Sequence, residues 1–112
     1  MDSVRQSKIA RLVQKELATY FQMESRNLLP GRMITVTVVR VTPDMGLAKV
    51  YLSIFPKEQN ADYLEVVNKH TKAIRAFLGN KIRHQVRIIP ELAFYLDDSM
   101  DYVEKIDRLL KS

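Results

Sequence analysis

Two nine-residue stretches, Met33–Val41 (MITVTVVRV) and Leu47–Phe55 (LAKVYLSIF), restrict what this chain can fold into more than any other part of it. Both alternate and both are rich in β-branched side chains, as strands buried on one side are. In the first, Ile34, Val36 and Val38 are expected to point inward, and Thr35 and Thr37 outward. The alternation fails at Val38-Val39, where a bulge or the strand's end keeps Arg40 out of the core. In the second, Ala48, Val50, Leu52 and Ile54 face inward, and Lys49, Tyr51 and Ser53 outward. Only Thr42-Pro43-Asp44-Met45-Gly46 separates the two, so they form an antiparallel hairpin. A lone hairpin is not stable in water; the rest of the chain has to supply a third strand and a helical layer.

Residues 3–23 read as an amphipathic helix striped by Ile9, Leu12, Val13, Leu17, Tyr20 and Phe21, with Asp2 or Ser3 as its cap. Pro30-Gly31 marks the turn into the hairpin. After Pro56, Gln59 or Asn60 starts a second helical stretch that runs through Tyr63, Leu64 and Val67 towards Ile82. That length is unusual in a small domain, and the weak helix formers Asn68, His70 and Thr71 mark a kink. Gly79 and Asn80 lie near its end. Residues 85–89 are expected to be the third strand, interrupted or ended by Pro90, with 93–96 continuing it. Asp97-Asp98-Ser99 offers caps for a last helix striped by Met100, Val103, Ile106 and Leu110. The expected fold is α+β: one two-layer domain over residues 1–112, with helices on one face of a three-stranded sheet.

Charge then points to a partner. The chain carries +5 overall, but residues 1–90 hold +8 and residues 91–112 hold −3. Residues 66–90 contain no Asp or Glu, yet carry Lys69, Lys72, Arg75, Lys81, Arg83 and Arg87. On a helix Val67, Ile74 and Leu78 fall together while Lys69, Lys72 and Arg83 point away, with Arg75 on the flank. Lys81 projects towards the apolar side, so either the helix ends near Gly79 or that lysine snorkels out. The first helix repeats the division: Lys8, Arg11 and Lys15 lie opposite its stripe, with Arg5 beside them. Two such faces suit a polyanion, although a merely solvated basic surface is the plain alternative.

Other chemistries find little support. There is no cysteine for a disulfide, a thiolate metal site or a nucleophile. His70 and His84 are the only histidines, too few for a zinc site. Asp97, Asp98 and Asp101 fit a helix N-terminus better than a magnesium or acid–base site. No phosphate-binding glycine loop, nucleophile elbow or His–carboxylate motif occurs. The first residues, MDSVRQSKIARL, lack a secretory signal's apolar stretch, and no run reaches membrane-spanning length. A cytoplasmic, non-enzymatic protein without metal, cofactor or membrane attachment is expected.

The element order, with no Gly-x-x-Gly among Gly31, Gly46 and Gly79, resembles a KH-like fold that lacks the nucleotide-clamping loop. Val41-Thr42-x-Asp44-x-x-x-Ala48-Lys49-Val50-Tyr51-x-Ser53 resembles the hairpin signature of the ribosome-binding factor A family of bacterial small-subunit maturation factors. Arg75-x-x-Leu78-Gly79 and Pro90-Glu91-Leu92-x-Phe94-x-x-Asp97-x-Ser99 resemble its second and third blocks. The order is right and the likeness spans essentially the whole chain. It implies a type II KH-like fold, a helix–kink–helix on a three-stranded mixed sheet. It also implies binding to the free or immature 30S subunit and its 16S rRNA near the neck, maturation of the 5′ region, and prevention of premature initiation. Relevance to cold shock and release by a ribosome-associated GTPase are implied as well, and the free protein is expected to be a monomer. Where the family places a short Ala-x-Gly kink, this chain has His70-Thr71-Lys72, and it ends without the basic tail of some members.

The residues expected to meet RNA are Lys69, Lys72, Arg75 and Arg83 on the second helical stretch, and Arg5, Lys8, Arg11 and Lys15 on the first. Tyr51, on the outward face of the hairpin, either stacks on a base or covers the open side of the sheet. A different class of function, a protein-interaction module, would use that open face through Thr35, Thr37, Tyr51 and Phe55.

Overall fold

The structure, a computed structural model, describes residues 3–56, 58 and 60–97. Its elements run α1 (Val4–Leu28), β1 (Met33–Val41), β2 (Leu47–Phe55), α2 (Asn60–Lys69), α3 (Thr71–Ile82) and β3 (Glu91–Leu96). The expected last helix, with Met100, Val103, Ile106 and Leu110, lies outside the described residues.

The expected antiparallel hairpin forms, with a register that runs from Met33 opposite Phe55 to Val41 opposite Ala48. β3 pairs with the other edge of β2 in parallel, from Leu47 opposite Glu91 to Leu52 opposite Leu96. The sheet is therefore mixed, in the order β1-β2-β3. β2 is central, and its inward side chains Ala48, Val50, Leu52 and Ile54 are all buried. Helices cover that one face. Val13, Leu17 and Phe21 of α1 and Ile74, Leu78 and Ile82 of α3 join the strands in one apolar cluster.

The first strand departs from expectation at its bulge, which falls between Val36 and Val38, one residue earlier than the lost alternation suggests. Val38 therefore turns outward and Val39 takes the inward place, while Arg40 stays exposed. Nothing at the sequence level separates the two settings, because Val38 and Val39 are the same residue type.

Helix α1 runs five residues past the expected end, to Leu28. The polar run of Ser25, Arg26 and Asn27 hides this continuation. What stops the helix is Pro30, since the residue before a proline disfavours helical backbone, and Gly31 then takes φ 78 in the turn. At the other end Ser3 and Gln6 form a reciprocal capping box. Gln6 does more than cap: it is buried, and its side-chain amide donates to the Val41 carbonyl (2.9 Å), tying the start of the helix to the end of β1.

The third strand corrects the sequence reading more sharply. Residues 85–89 are not a strand; β3 begins at Glu91, after Pro90. Pro90 has no N–H to give a ladder. The carbonyls of Ile89 and Pro90 accept hydrogen bonds from the Arg75 side chain instead. Pairing starts where a free donor next appears, with Glu91 N–H on the Gly46 carbonyl (2.9 Å).

The long helical stretch breaks at one residue, His70, which has φ −100 and ψ 9. No glycine is needed. The His70 N–H bonds the Val67 carbonyl, its ring Nδ1 lies 2.9 Å from the Val66 carbonyl, and the Thr71 hydroxyl donates to the Asn68 carbonyl (2.7 Å). These partners occupy carbonyls that the end of a helix leaves without intrahelical donors.

Removing the buried amide, Gln6→Ala, should cost about 1–3 kcal/mol, since it deletes a capping partner and strands a buried carbonyl. Val4→Ala, two residues away on the exposed side, should stay within about 0.5 kcal/mol. Urea denaturation of the two variants compares them directly.

Candidate nucleic-acid interface

The break between α2 and α3 sets two lysines three residues apart on opposite sides of one exposed residue. Lys69 stands in the last turn of α2, where a cation is favoured by the helix dipole. Lys72 stands in the first turn of α3, where the dipole disfavours it, and that turn holds no acidic residue and no side-chain cap. The corner thus gathers two ammonium groups and the uncapped N–H groups of a helix start, a combination that accepts an anion. Lys69, Lys72 and Arg83 are exposed. Among the described residues the single ion pair is Arg32 with Glu58, so no described acid comes within pairing distance of these three.

Arg75 does not match its expected role. Its Nε donates to the Pro90 carbonyl (3.1 Å) and one Nη to the Ile89 carbonyl (2.8 Å). Half-buried, it clasps α3 to the connector that leads into β3. This is a structural use of a planar, forked donor. Beside it Lys72, Ala76, Gly79 and Ile89 line a shallow depression of about 360 Å³. Lys81 settles the other open question: α3 continues to Ile82, and the lysine stays exposed with its ammonium 5.5 Å from the Phe77 ring centre.

On α1, Arg5, Lys8, Arg11 and Lys15 all lie exposed, opposite the buried Val13, Leu17 and Phe21. The fold brings Arg5 and Lys8 to Arg87, which the sequence reading left out of the candidate site. These three cations share a cleft of about 500 Å³ with the β1–β2 loop. Arg40 and Lys49 were missed in the same way. The bulge pairs them directly across the hairpin on the open face, where like charges repel. With Tyr51 they line a depression of about 360 Å³ at the edge of the sheet. Tyr51 itself stacks on Tyr95, centroids 5.4 Å apart and rings 30° from parallel.

In the β1–β2 loop the Asp44 carboxylate accepts from the Thr42 hydroxyl (2.7 Å) and the Gly46 N–H (3.0 Å). The hydroxyl and then the amide hold its pKa below the usual carboxylate value. Arg32, by contrast, is another structural cation. It reaches the Pro56 carbonyl, the Tyr63 hydroxyl and, 4.4 Å away, the face of the Tyr63 ring. Among the described residues no helix is long and apolar enough to cross a membrane, and no three metal-ligating side chains come together.

A family model described as Ribosome-binding factor A matches residues 5–110. Among curated relatives, ribosome-binding factor A of Cytophaga hutchinsonii is 51% identical over 110 residues, covering 98% of this chain and 83% of the relative. That of Chlorobaculum parvum is 46% identical, covering 98% and 91%. The crystal structure of ribosome-binding factor A from Thermus thermophilus superposes with a TM-score of 0.68 at 22% identity, covering 81% of this chain and 94% of that one. A homology model of the Thermus thermophilus factor, fitted into the cryo-EM map of a complex of the 30S subunit with ribosome-binding factor A, gives 0.60 at 22% identity, covering 88% and 97%. These neighbours share the KH-like α+β arrangement found here.

Two expectations follow. Arg75→Ala should destabilise the fold by about 1–2 kcal/mol, because two carbonyls lose a charged donor at a half-exposed site. Lys69→Ala and Lys72→Ala should each stay within about 0.5 kcal/mol in the same denaturation experiment. Asp44 contributes stability above its unfolded pKa, and that contribution is lost as pH falls through the lowered folded value. The destabilisation caused by Asp44→Ala should therefore be constant above about pH 5 and shrink in acid.

Proposed function

The chain belongs to the ribosome-binding factor A family, and from that membership we propose that it is a ribosome-binding factor that docks on the small subunit through the cations of its helical layer. The observation that carries the docking surface is the α2–α3 corner, where exposed Lys69 and Lys72 flank an uncapped helix start, with Arg83 exposed at the C-terminal cap of α3. Arg5, Lys8, Arg11 and Lys15 extend the positive surface along α1. Arg75 supports it from behind by holding the connector. In this reading the partner is the free or immature 30S subunit, and the groups contacted are phosphates of 16S rRNA. Lysine and arginine supply affinity there without reading sequence. The protein works by binding and performs no chemistry. Its biological effect is to assist late maturation of the 5′ region of 16S rRNA in the cytoplasm, with relevance to growth in the cold. A ribosome-associated GTPase releases it, and off the ribosome it is a monomer.

A second reading is favoured by one feature of the open sheet face. Met33 and Phe55 lie directly opposite each other, 67% and 63% exposed, at one end of the hairpin. A protein partner seated there would survive nuclease and high salt, whereas docking through phosphate contacts would not.

Co-sedimentation with small subunits should weaken steeply as salt rises, because each phosphate contact releases a counterion. The triple reversal Lys69→Glu, Lys72→Glu, Arg83→Glu should reduce binding by at least about tenfold while the circular dichroism spectrum and unfolding midpoint stay close to those of the original chain. Undiminished binding by that folded variant would move the docking surface elsewhere. Cells relying on the variant should accumulate 16S precursor with an unprocessed 5′ end.

A further inference from the structure

We propose that the cleft between the first turns of α1, the β1–β2 loop and the connector into β3 holds a single unstacked nucleotide of single-stranded RNA. The inference rests on the RNA-docking reading above and adds to it a second, chemically different contact.

The cleft has two kinds of wall. Arg5 and Lys8 from α1 and Arg87 from the connector supply three cations, and Asp44 is the one acid among the lining residues. That carboxylate is already engaged by Thr42 and Gly46, so its oxygens serve the loop, and the lining keeps an excess of positive charge. Between the cations the surface is apolar, made by Ile9, Met45, Val86 and Ile88. Ile88 is 58% exposed although it belongs to no helix or strand whose burial it could serve. Met45 is held at φ 62, a left-handed conformation unusual for a residue other than glycine. An exposed isoleucine and a backbone conformation that carries a conformational cost sit together at the mouth of a cleft of about 500 Å³.

That mixture defines the occupant. A nucleotide joins an anionic phosphodiester to a flat base with an apolar face, and the cleft offers cations beside an apolar floor. Arginine planes can cover a base as well as bind phosphate, so no aromatic side chain is needed. Duplex RNA keeps its bases stacked and presents phosphates, 2′-hydroxyls and base edges but no free base face, which would leave the floor unused. An acidic peptide has the charge but no flat apolar group to fill the space. The volume falls within the range of small-ligand sites. The site is also separate from the α2–α3 corner, since Lys69, Lys72 and Arg83 do not line it.

The test uses the full chain, a short fluorescent oligoadenylate and a blunt-ended RNA duplex of matched length, read by anisotropy across a salt series. Ile88→Ser should weaken oligoadenylate binding by at least about fivefold with an unchanged salt slope, because it removes base contact and no charge. It should leave duplex binding as it was. Arg87→Ala should weaken binding and lower the salt slope by about 1, as loss of one phosphate contact does. Both positions are exposed, so the variants should keep the parent's unfolding midpoint. Original affinity in both variants would overturn the proposal. So would an effect of Arg87→Ala alone, which would mean a plain phosphate contact, or displacement of oligoadenylate by oligoglutamate as effective as by unlabelled RNA. If the cleft variants bind normally while reversal at Lys69, Lys72 and Arg83 releases the subunit, the nucleotide slot fails and the docking reading stands. If the original chain binds neither subunits nor RNA, both fail.

Discussion

The central strand is the constraint on which the rest depends. β2 pairs on both edges, antiparallel to β1 and parallel to β3, and its four inward side chains are almost completely excluded from water. A strand so placed needs cover on one face only, and α1 and α3 provide it with Val13, Leu17, Phe21, Ile74, Leu78 and Ile82. Once those residues face the sheet, helical geometry leaves Lys8, Arg11 and Lys15 on one helix, and Lys72 and Arg83 on the other, no place but the solvent side. The positive surface is the other half of the same packing pattern that makes the core. Any substitution that rotated either helix would damage both at once.

Strict periodicity made the framework legible. The hairpin and the inward set of β2 follow from period-two alternation over two strands of nine residues, and the stripe of α1 follows from its threes and fours. Failure came where a long-range partner decides the local outcome. Residues 85–89 alternate like a strand, but Arg75, ten or more positions away, takes the carbonyls at their end, and Pro90 gives no donor. Val38 and Val39 are interchangeable by type, so the side of the bulge depends on the opposing strand. Gln6 is by type an ordinary polar residue near a helix start, and its buried bond to Val41 spans thirty-five positions. The cleft was illegible for the same reason. Arg5 and Lys8 meet Arg87 only after the sheet has closed.

The same separation explains why counting cations in residues 66–90 overestimates the exposed positive surface of α2 and α3. Of the six, Arg75 is bound to backbone carbonyls and Lys81 lies over Phe77. Arg87 belongs to the cleft with α1. Lys69, Lys72 and Arg83 are left for the outward face of α2 and α3. Charge density in sequence therefore converts into a surface only after each guanidinium's local partners are known. Arg75 is diverted because its fork satisfies two carbonyls at once.

Local conflicts point the same way as exposure. Lys72 lies at the helix end that repels it, Arg40 and Lys49 face each other across the hairpin, and Met45 occupies left-handed backbone. Each arrangement costs a fraction of a kcal/mol to about 2 kcal/mol. A chain shaped by stability alone would have an acid at the start of α3, an opposite charge beside Lys49 and a glycine or asparagine at position 45. An anion bound at these places would reverse the sign of the first two terms, relieving repulsion in place of suffering it. The three conflicts lie at three different parts of the molecule, the helix corner, the sheet edge and the cleft. The ligand that would offset both charge conflicts together is therefore an extended polyanion following the basic surface. A compact anion would reach only one of them.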